Sequence, residues 1–363
     1  MIDYPGYQIT EQLFNSEDSR IYRAICDEDN QPVVLKILNK KHPTEEELAK
    51  FKREFEITKS ISAEGVINIY RLEPYKNTLV MVMEDIGGVS LAKLIEYGAL
   101  ELNQFLILAI SISKALGQVH QSKIIHKDIC PSNIIFNLET DQIKLIDFGI
   151  AVELSRENKE VLSPNVLEGT LAYVSPEQTG RMNRVVDYRS DLYSLGATFY
   201  SMLTQQPPFK ASDAVEIVHA HIAKTPVEPH KINAAIPLVL SKMVMKLLSK
   251  TAEERYQNTI GVVADLEKCL EQIASKGEVD LFDVAEQDIS DQFHIPQNLY
   301  GREREVNTLM SSFDRVANGA TEMILVAGYS GVGKSVLVSE VHKPIVAKRG
   351  YFIAGKFDQF LRN

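Results

Sequence analysis

The chain has 363 residues, of which 45% are hydrophobic and 24% charged, and its net charge is −10 at neutral pH. This composition is typical of a globular protein with two or three domains, and the acidic balance excludes a general nucleic-acid binder and a protein of anionic membrane surfaces. The three cysteines have no paired spacing, which excludes a disulfide framework and a zinc site. Because the N-terminus also lacks the features of a signal peptide, we expect a cytoplasmic protein.

The first part of the chain predicts strands. Short, partly alternating apolar segments lie at 7–13, 19–26 and 32–38, and two more lie at 67–72 and 78–83. Between them, Thr44 and the three glutamates that follow it predict the start of a helix that runs to Ser60. The pattern therefore predicts a small β-rich lobe.

From Leu91 onward the pattern is mostly helical, which predicts a second, larger lobe. The most apolar run, at 105–112, is too short to cross a bilayer and predicts a buried helix, so we expect no membrane span. An acidic stretch with few apolar residues at 273–297 predicts a solvated linker after a domain that ends near residue 272. Within it, Leu281-Phe282 and the run at 293–295 are candidates to dock on a neighbouring surface.

The most informative motif is HKDICPSN at 126–133, followed by DFG at 147–149. It places Asp128, Asn133 and Asp147 in the order that phosphoryl transfer needs. One carboxylate orients the proton of an attacking hydroxyl, while the amide and the other carboxylate hold Mg²⁺ against the phosphates of ATP. Apolar runs at 134–136 and 143–146 predict short strands beside this loop. The sequence therefore predicts a site that uses ATP and Mg²⁺.

A lysine lies inside an otherwise apolar predicted strand, at Lys36, where it needs a partner or a ligand. The predicted helix offers two carboxylates, Glu54 and Glu56. We favour Glu54, because Ile57 and Ile61 then share its helical face.

A second phosphate site is predicted by GYSGVGKS at 328–335, which fits the P-loop pattern, with an apolar run at 323–327 as the preceding strand. Backbone amides at Gly331 and Gly333 would cradle phosphates, Lys334 would reach the β/γ oxygens, and Ser335 would bind Mg²⁺. Residues 298–363 then form the start of an α/β P-loop NTPase domain. No apolar strand that ends in aspartate follows, so we expect no efficient ATP hydrolysis there.

The two-lobed order and the motifs resemble the eukaryotic-type protein kinase family of the serine/threonine class, from about residue 7 to 270. The resemblance implies an α+β two-lobed kinase fold and transfer of the ATP γ-phosphate to a serine or threonine hydroxyl of a protein. It implies that Asp128 is the catalytic base and that Lys36, paired with Glu54, holds the α- and β-phosphates. Asn133 and Asp147 become the metal ligands.

The resemblance also assigns supporting roles. Glu84 and Ile86 become parts of the hinge that binds adenine through its backbone, next to a gatekeeper at Met83. Glu177 and Arg255 become a buried ion pair, Asp191 becomes the anchor of the catalytic loop, and Thr170 becomes a partner of Asp128.

Three departures from the family pattern matter. Phe14, Ser16 and Ser19 occupy the positions of the three glycines that cover the phosphates, which predicts weaker ATP binding. Cys130 stands where a lysine contacts the γ-phosphate, which predicts a slower enzyme. Lys127 replaces an arginine, so phosphorylation of the activation loop, at Ser155, Ser163 or Thr170, should matter less.

SPEQTGRMNR at 175–184 and LYGRE at 299–303 are similar to segments of a group of large bacterial signalling proteins. There a serine/threonine kinase domain precedes an AAA-type predicted ATPase, and sensor (GAF) and histidine-kinase domains often follow. The resemblance implies that this chain is the N-terminal portion or a truncated relative of such a protein, with ATPase and sensor domains as partners. Two alternatives remain open: a nucleotide-binding pseudokinase that serves as a scaffold, and a small-molecule kinase.

Overall fold

The structure is a computed structural model. It describes residues 4–16, 18–40, 42–98, 100–154, 169–180, 184–211, 213–288, 301–329 and 334–339. The order of elements is that of a β-rich lobe followed by a helical lobe, which confirms the predicted two-lobed architecture.

The first lobe is a five-stranded antiparallel sheet in the order β1-β2-β3-β5-β4. Its strands are β1 (Tyr7–Asn15), β2 (Ser19–Cys26), β3 (Pro32–Leu38), β4 (Ile69–Tyr75) and β5 (Thr78–Glu84). The predicted strand at 67–72 begins two residues later and runs further, because it pairs with β5 through a tight turn at Lys76, whose φ is 53°. Both faces of the sheet are covered, which is why β3 is apolar on both sides.

Helix α1 (Glu45–Ser60) packs against one face of the sheet. Its start is fixed by a capping box, in which the Thr44 hydroxyl accepts from the Glu47 amide and the Glu47 carboxylate accepts from the Thr44 amide. Phe51 and Ile57 are buried, and so is Glu54 on the same face. The charge of Glu54 therefore faces the cleft between the lobes.

The second lobe is mainly helical, with short strands around the loops of the site. Its helices are α2 (Leu91–Tyr97), α3 (Leu102–Gln121), α4 (Tyr188–Thr204), α5 (Ala214–Ala223), α6 (Pro229–Ile232), α7 (Leu238–Leu247) and α8 (Thr259–Lys276). The strands are β6 (Val89–Ser90), β7 (Ile124–Ile125), β8 (Ile134–Phe136), β9 (Ile143–Leu145) and β10 (Val152–Glu153). Four 3₁₀ turns complete the described part, at Pro131–Asn133, Leu171–Tyr173, Glu177–Thr179 and Ala252–Glu254.

Helix α3 runs through the main hydrophobic core of this lobe, where residues such as Phe105, Leu106 and Leu116 are almost wholly buried. In the described part of the chain it is the one helix whose length and composition would allow it to cross a membrane. Its buried contacts account for this apolar character, as in the core helix of a globular lobe.

The acidic stretch after α8 contacts the helical lobe. Val279, Phe282 and Ala285 pack against the main core, and the Asp288 carboxylate accepts from the backbone amide of Gln257 at 2.8 Å. The segment 279–288 therefore docks on the helical lobe through apolar side chains spaced three residues apart and through the half-buried Asp288 carboxylate. Of the two residues expected to dock, Phe282 makes this contact, while Leu281 is 59% exposed. The predicted boundary at residue 272 remains a prediction.

Beyond residue 300 the structure describes α9 (Glu303–Ala317) and α10 (Lys334–Ser339). The predicted strand at 323–327 is absent, and Met323 and Leu325 are 92% and 84% exposed. A strand needs a neighbouring backbone to satisfy its amides and carbonyls, and in the described residues no strand pairs with this run.

Candidate active site

The ammonium group of Lys36 lies between two carboxylates. Its Nζ is 2.6 Å from Glu54 Oε1 and 3.1 Å from Asp147 Oδ1. Burial alone would lower the pKa of Lys36, but the two carboxylates outweigh it and the pKa is raised. Glu56, the alternative partner weighed from the sequence, is exposed. The structure thus brings together Lys36 from β3, Glu54 from α1 and Asp147 from the loop after β9.

The loop that carries Asp128 is held through its backbone by Asp191 on α4. The backbone amides of His126 and Lys127 donate to the Asp191 carboxylate at 2.9 and 2.8 Å. The His120 ring lies 2.9 Å from the same carboxylate. Asp191 therefore anchors the catalytic loop, as the resemblance implies.

Asn133 orients the Asp128 side chain. Its Nδ2 donates to Asp128 Oδ2 at 2.8 Å and to the Asp128 carbonyl at 3.0 Å. Because both bonds use the amide nitrogen, the amide oxygen is the atom that remains for a cation, which is the ligand type that Mg²⁺ prefers.

Asp147 lies two residues after the end of β9 and has a left-handed backbone, with φ of 64°. The following Phe148 is buried against the His126 ring, with centroids 4.5 Å apart. Burial opposes ionisation of Asp147, but Lys36 outweighs it and the pKa of the carboxyl is lowered. Its side chain is 43% exposed, so an ionised carboxylate faces the cleft.

These residues fit a magnesium ion carried by ATP better than a cage made by the protein alone. Among the residues that the structure describes, no cluster of three or more His, Cys, Asp or Glu side chains forms a metal site. Mg²⁺ typically takes one or two protein carboxylates and completes its shell with phosphates and water. Asp147 and Asn133 supply such a partial shell, and Lys36 supplies a positive charge for the phosphates.

Glu84 and Ile86, which the sequence predicts as hinge residues, lie at the end of β5 and just after it. The Glu84 carboxylate is 3.1 Å from Lys144 Nζ, so its side chain is engaged outside the cleft. The Ile86 carbonyl accepts from the Asn137 side chain, while its backbone N–H has no hydrogen-bond acceptor within the described ranges. A free backbone donor at this edge fits the hydrogen bond that a hinge offers to adenine.

The hairpin between β1 and β2 occupies the position at which the family has its glycine-rich loop. Phe14 is 52% exposed. Two hydrogen bonds between Ser16 and Ser19 close the turn. The Ser16 amide donates to the Ser19 carbonyl at 2.9 Å, and the Ser19 amide donates to Ser16 Oγ at 3.0 Å. Asn39, after β3, donates its Nδ2 to the Ser16 carbonyl at 2.6 Å. The turn is thus fixed by side chains, whereas glycines would leave it free to follow the phosphates.

Cys130 and Thr170 meet beside Asp128. Cys130 Sγ is 3.5 Å from Thr170 Oγ1, and burial followed by the charge of Asp128 raises the pKa of Cys130 to about 12. Thr170 does contact Asp128, but through its backbone amide, 2.8 Å from Asp128 Oδ1. Cys130 is therefore a buried thiol. Ser155 and Ser163 lie outside the described residues.

Glu177 and Arg255 form the expected buried ion pair, with two contacts of 2.6 and 2.9 Å. Burial would raise the pKa of Glu177, but Arg255 outweighs it and lowers that pKa to about 2. The pair joins the turn at Glu177–Thr179 to the chain that follows the turn at Ala252–Glu254.

The second predicted site is less complete. Gly331, Gly333 and the side chain of Ser335 lie outside the described residues. Lys334 Nζ donates to the carbonyls of Gly328 and Tyr329, at 2.8 and 2.7 Å. Its donors thus contact its own loop.

Several contributors to the site carry no signal in the sequence. Lys144 and Glu84 pair across 60 residues, Arg23 holds Asp85 of the hinge at 2.7 Å, and Gln178 contacts the Lys127 carbonyl at 2.7 Å. Each joins elements that are distant in the chain, so neither periodicity nor motif spacing indicates the partner.

Comparison with known proteins agrees with this geometry. The family model described as protein kinase domain matches residues 7–267, and the one described as AAA ATPase domain matches 298–363. A probable serine/threonine-protein kinase of Clostridium acetobutylicum is 36% identical over 72% of this chain and 39% of its own length. A hybrid signal transduction histidine kinase of Dictyostelium discoideum is 30% identical over 73% of this chain and 10% of its own length. The serine/threonine-protein kinase PknB of Mycolicibacterium smegmatis is 32% identical over 60% of this chain and 35% of its own length. The chain thus spans well under half the length of these relatives.

Proposed function

Because the chain belongs to the protein kinase domain family, we propose that it transfers the γ-phosphate of ATP to serine or threonine hydroxyls of a protein substrate in bacterial signal transduction. The observation that carries the proposal is the contact of Lys36 with both Glu54 and Asp147. A buried lysine between two carboxylates supports a site built for phosphates and a metal ion, because a buried charge needs partners and the partly exposed Asp147 carboxylate still faces the cleft.

Each residue then has a chemical task. Lys36, positioned by Glu54, neutralises the α- and β-phosphates. Asp147 and Asn133 would hold Mg²⁺, which would lower the negative charge that repels the nucleophile. Asp128, held by Asn133 and by the Thr170 amide, accepts the proton of the attacking hydroxyl. Adenine lies against the backbone of Glu84 and Ile86, and the hairpin with Phe14, Ser16 and Ser19 covers the phosphates.

The test is transfer of radiolabelled phosphate from ATP and Mg²⁺ to a generic protein acceptor by the full chain. Asp147→Asn should abolish the label, because it removes the charged metal ligand. Asp213→Asn is the matched control: Asp213 is exposed and caps α5, and asparagine caps helices equally well. Phosphoamino-acid analysis then distinguishes serine and threonine from tyrosine.

The altered hairpin and Cys130 favour the alternative, a nucleotide-binding pseudokinase that serves as a scaffold. ATP binding measured with and without Mg²⁺ separates the two. Binding that Mg²⁺ strengthens, together with transfer, supports the kinase, whereas binding indifferent to Mg²⁺ without transfer supports the scaffold.

We also propose that the kinase domain, residues 1–272, works together with a P-loop ATPase domain that begins at residue 298, with 273–297 joining the two. The match of the AAA ATPase domain to 298–363 and the greater length of the relatives support this arrangement. Sensor domains, in the same protein or in partner chains, would then supply the signal. In that arrangement Gly331, Gly333, Lys334 and Ser335 bind a second nucleotide with its Mg²⁺.

A further inference from the structure

The peptide before Asp128 has an unusual backbone. Lys127 has φ of 68°, in the left-handed region that a residue with a Cβ seldom adopts. Such a conformation is strained and persists only where the surroundings hold it. The Lys127 amide donates to Asp191 Oδ1 at 2.8 Å, which fixes one side of the residue.

The other side of Lys127 is fixed by Gln178. Gln178 Nε2 donates to the Lys127 carbonyl at 2.7 Å. Gln178 Oε1 in turn accepts from Ser175 Oγ at 2.8 Å and from the Ser175 amide at 3.2 Å. Gln178 is 4% exposed and Ser175 is fully buried, so water does not compete for these bonds.

The segment 169–180 thus contacts the catalytic loop at two points. At the first, the Thr170 amide donates to Asp128 Oδ1 itself. At the second, Gln178 holds the peptide that joins Lys127 to Asp128. The groups at the Gln178 contact are all neutral, so the contact needs no phosphorylated side chain.

We propose that Gln178 is a positioning residue for phosphoryl transfer: by holding the Lys127 carbonyl, it keeps Asp128 aimed at the hydroxyl of the substrate. The inference rests on the proposed kinase function. Gln178 contacts neither the lysine that holds ATP nor the metal ligands, so its loss should reduce the rate of the chemical step and leave nucleotide binding unchanged.

The first experiment compares the full chain with Gln178→Leu, which keeps the size of the side chain and removes both hydrogen-bonding atoms. We expect kcat to fall about tenfold, with the KM values for ATP and acceptor within about twofold. The matched control is Ser241→Ala. Ser241 is also buried, and its side chain bonds to His230 and to no site residue in the described part, so its loss should lower stability without lowering kcat.

A second variant separates positioning from stability. In Gln178→Glu, an ionised carboxylate opposes the Lys127 carbonyl, whereas the protonated acid donates to it as the amide does. Burial raises the pKa of such a carboxyl. The ratio of the variant's kcat to the wild-type kcat should therefore rise as the pH falls from 8 to 6, which a loss of stability alone would not produce.

The outcomes are distinct. Wild-type chain that transfers no phosphate refutes the proposed function and this inference with it. Wild-type transfer with a kcat that Gln178→Leu leaves unchanged, or with a Gln178→Glu ratio that is flat across pH, overturns the role of Gln178 alone.

Discussion

The two lysines that the sequence offers for phosphates have very different surroundings. Lys36 is buried and lies within 3.1 Å of two carboxylates from other elements. Lys334 is only partly buried and donates to two carbonyls of its own loop. A cation with partners from two other elements is held in one position, whereas a cation bound to its own loop depends on a ligand for its final position. Two motifs that are equally clear in the sequence can therefore differ in how fully the structure assembles their sites.

The largest effect should come from breaking the assembled site. Lys36→Met should lower phosphate transfer at least about hundredfold, because the variant lacks the positive charge that neutralises the phosphates. At a buried site such a charge stabilises the transition state more strongly than in water. Lys114→Met serves as the control, since Lys114 forms an exposed pair with Glu267, and its transfer should stay within about twofold of wild type.

The same variant also reports on the second lysine. If residues 298–363 do not hydrolyse ATP efficiently, ATP consumption by Lys36→Met without acceptor should fall with the transfer activity. Hydrolysis that persists in Lys36→Met and disappears when Lys334→Met is added would contradict this prediction.

The next effect concerns the other buried charge pair. Glu177→Ala should lower the free energy of unfolding by about 3–5 kcal/mol, because it leaves Arg255 buried without its carboxylate. Urea denaturation of the variant and the wild type measures the difference. The exposed pair of Lys114 and Glu267 gives the comparison: Glu267→Ala should cost less than about 1 kcal/mol.

Acid should weaken the same pair. The pKa of Glu177 is lowered to about 2 in the folded chain, so its stabilising contribution is complete above its ordinary pKa of 4.5 and is lost as the pH falls from there towards 2. The contribution is about 3 kcal/mol by linkage. In Glu177→Gln, which does not titrate, the corresponding part of the acid destabilisation should be missing.

The third effect compares two apolar runs. Leu35 in β3 is fully buried, and Leu325 is 84% exposed. Leu35→Ala should therefore destabilise the chain by about 2–5 kcal/mol, while Leu325→Ala should change its stability by less than about 0.5 kcal/mol. A large cost at Leu325, measured by the same denaturation, would mean that the run at 323–327 is covered in solution.

The smallest effect is expected at the thiols. All three cysteines are buried, and burial raises the pKa of Cys130 and of Cys269 to about 12. A thiol-specific disulfide reagent at pH 8 should label less than about one thiol per folded chain and leave phosphate transfer intact. Unfolding in denaturant should release all three. Rapid labelling of Cys130 with loss of activity would contradict its burial.

Much of the fold followed from local signals. The start of α1 followed from Thr44 and its glutamates, and the strands of the first lobe from short apolar runs between polar turns. The order of Asp128, Asn133 and Asp147 followed from motif spacing. These features depend on residues within a few positions of one another, so the sequence carries them directly.

Two segments behave differently from what their composition alone indicates, for a physical reason. The run at 323–327 has the composition of a strand, but in the described part of the chain no partner strand pairs with it. The stretch at 279–288 has an acidic composition, but Phe282 and Asp288 find partners on the helical lobe. Composition reports the preference of a segment, whereas the neighbours that satisfy its apolar surface and its polar groups come from elsewhere.

The sequence by itself determined the family, the two lobes and the residue types of the site. The tertiary structure decided which glutamate meets Lys36, that Thr170 reaches Asp128 through its backbone, and that Gln178 holds the peptide before Asp128. The physical reason is that a buried charge or a strained peptide is stable only when distant elements deliver complementary groups to it. The positions of those groups are set by packing between lobes, helices and loops, and no short stretch of sequence contains that information.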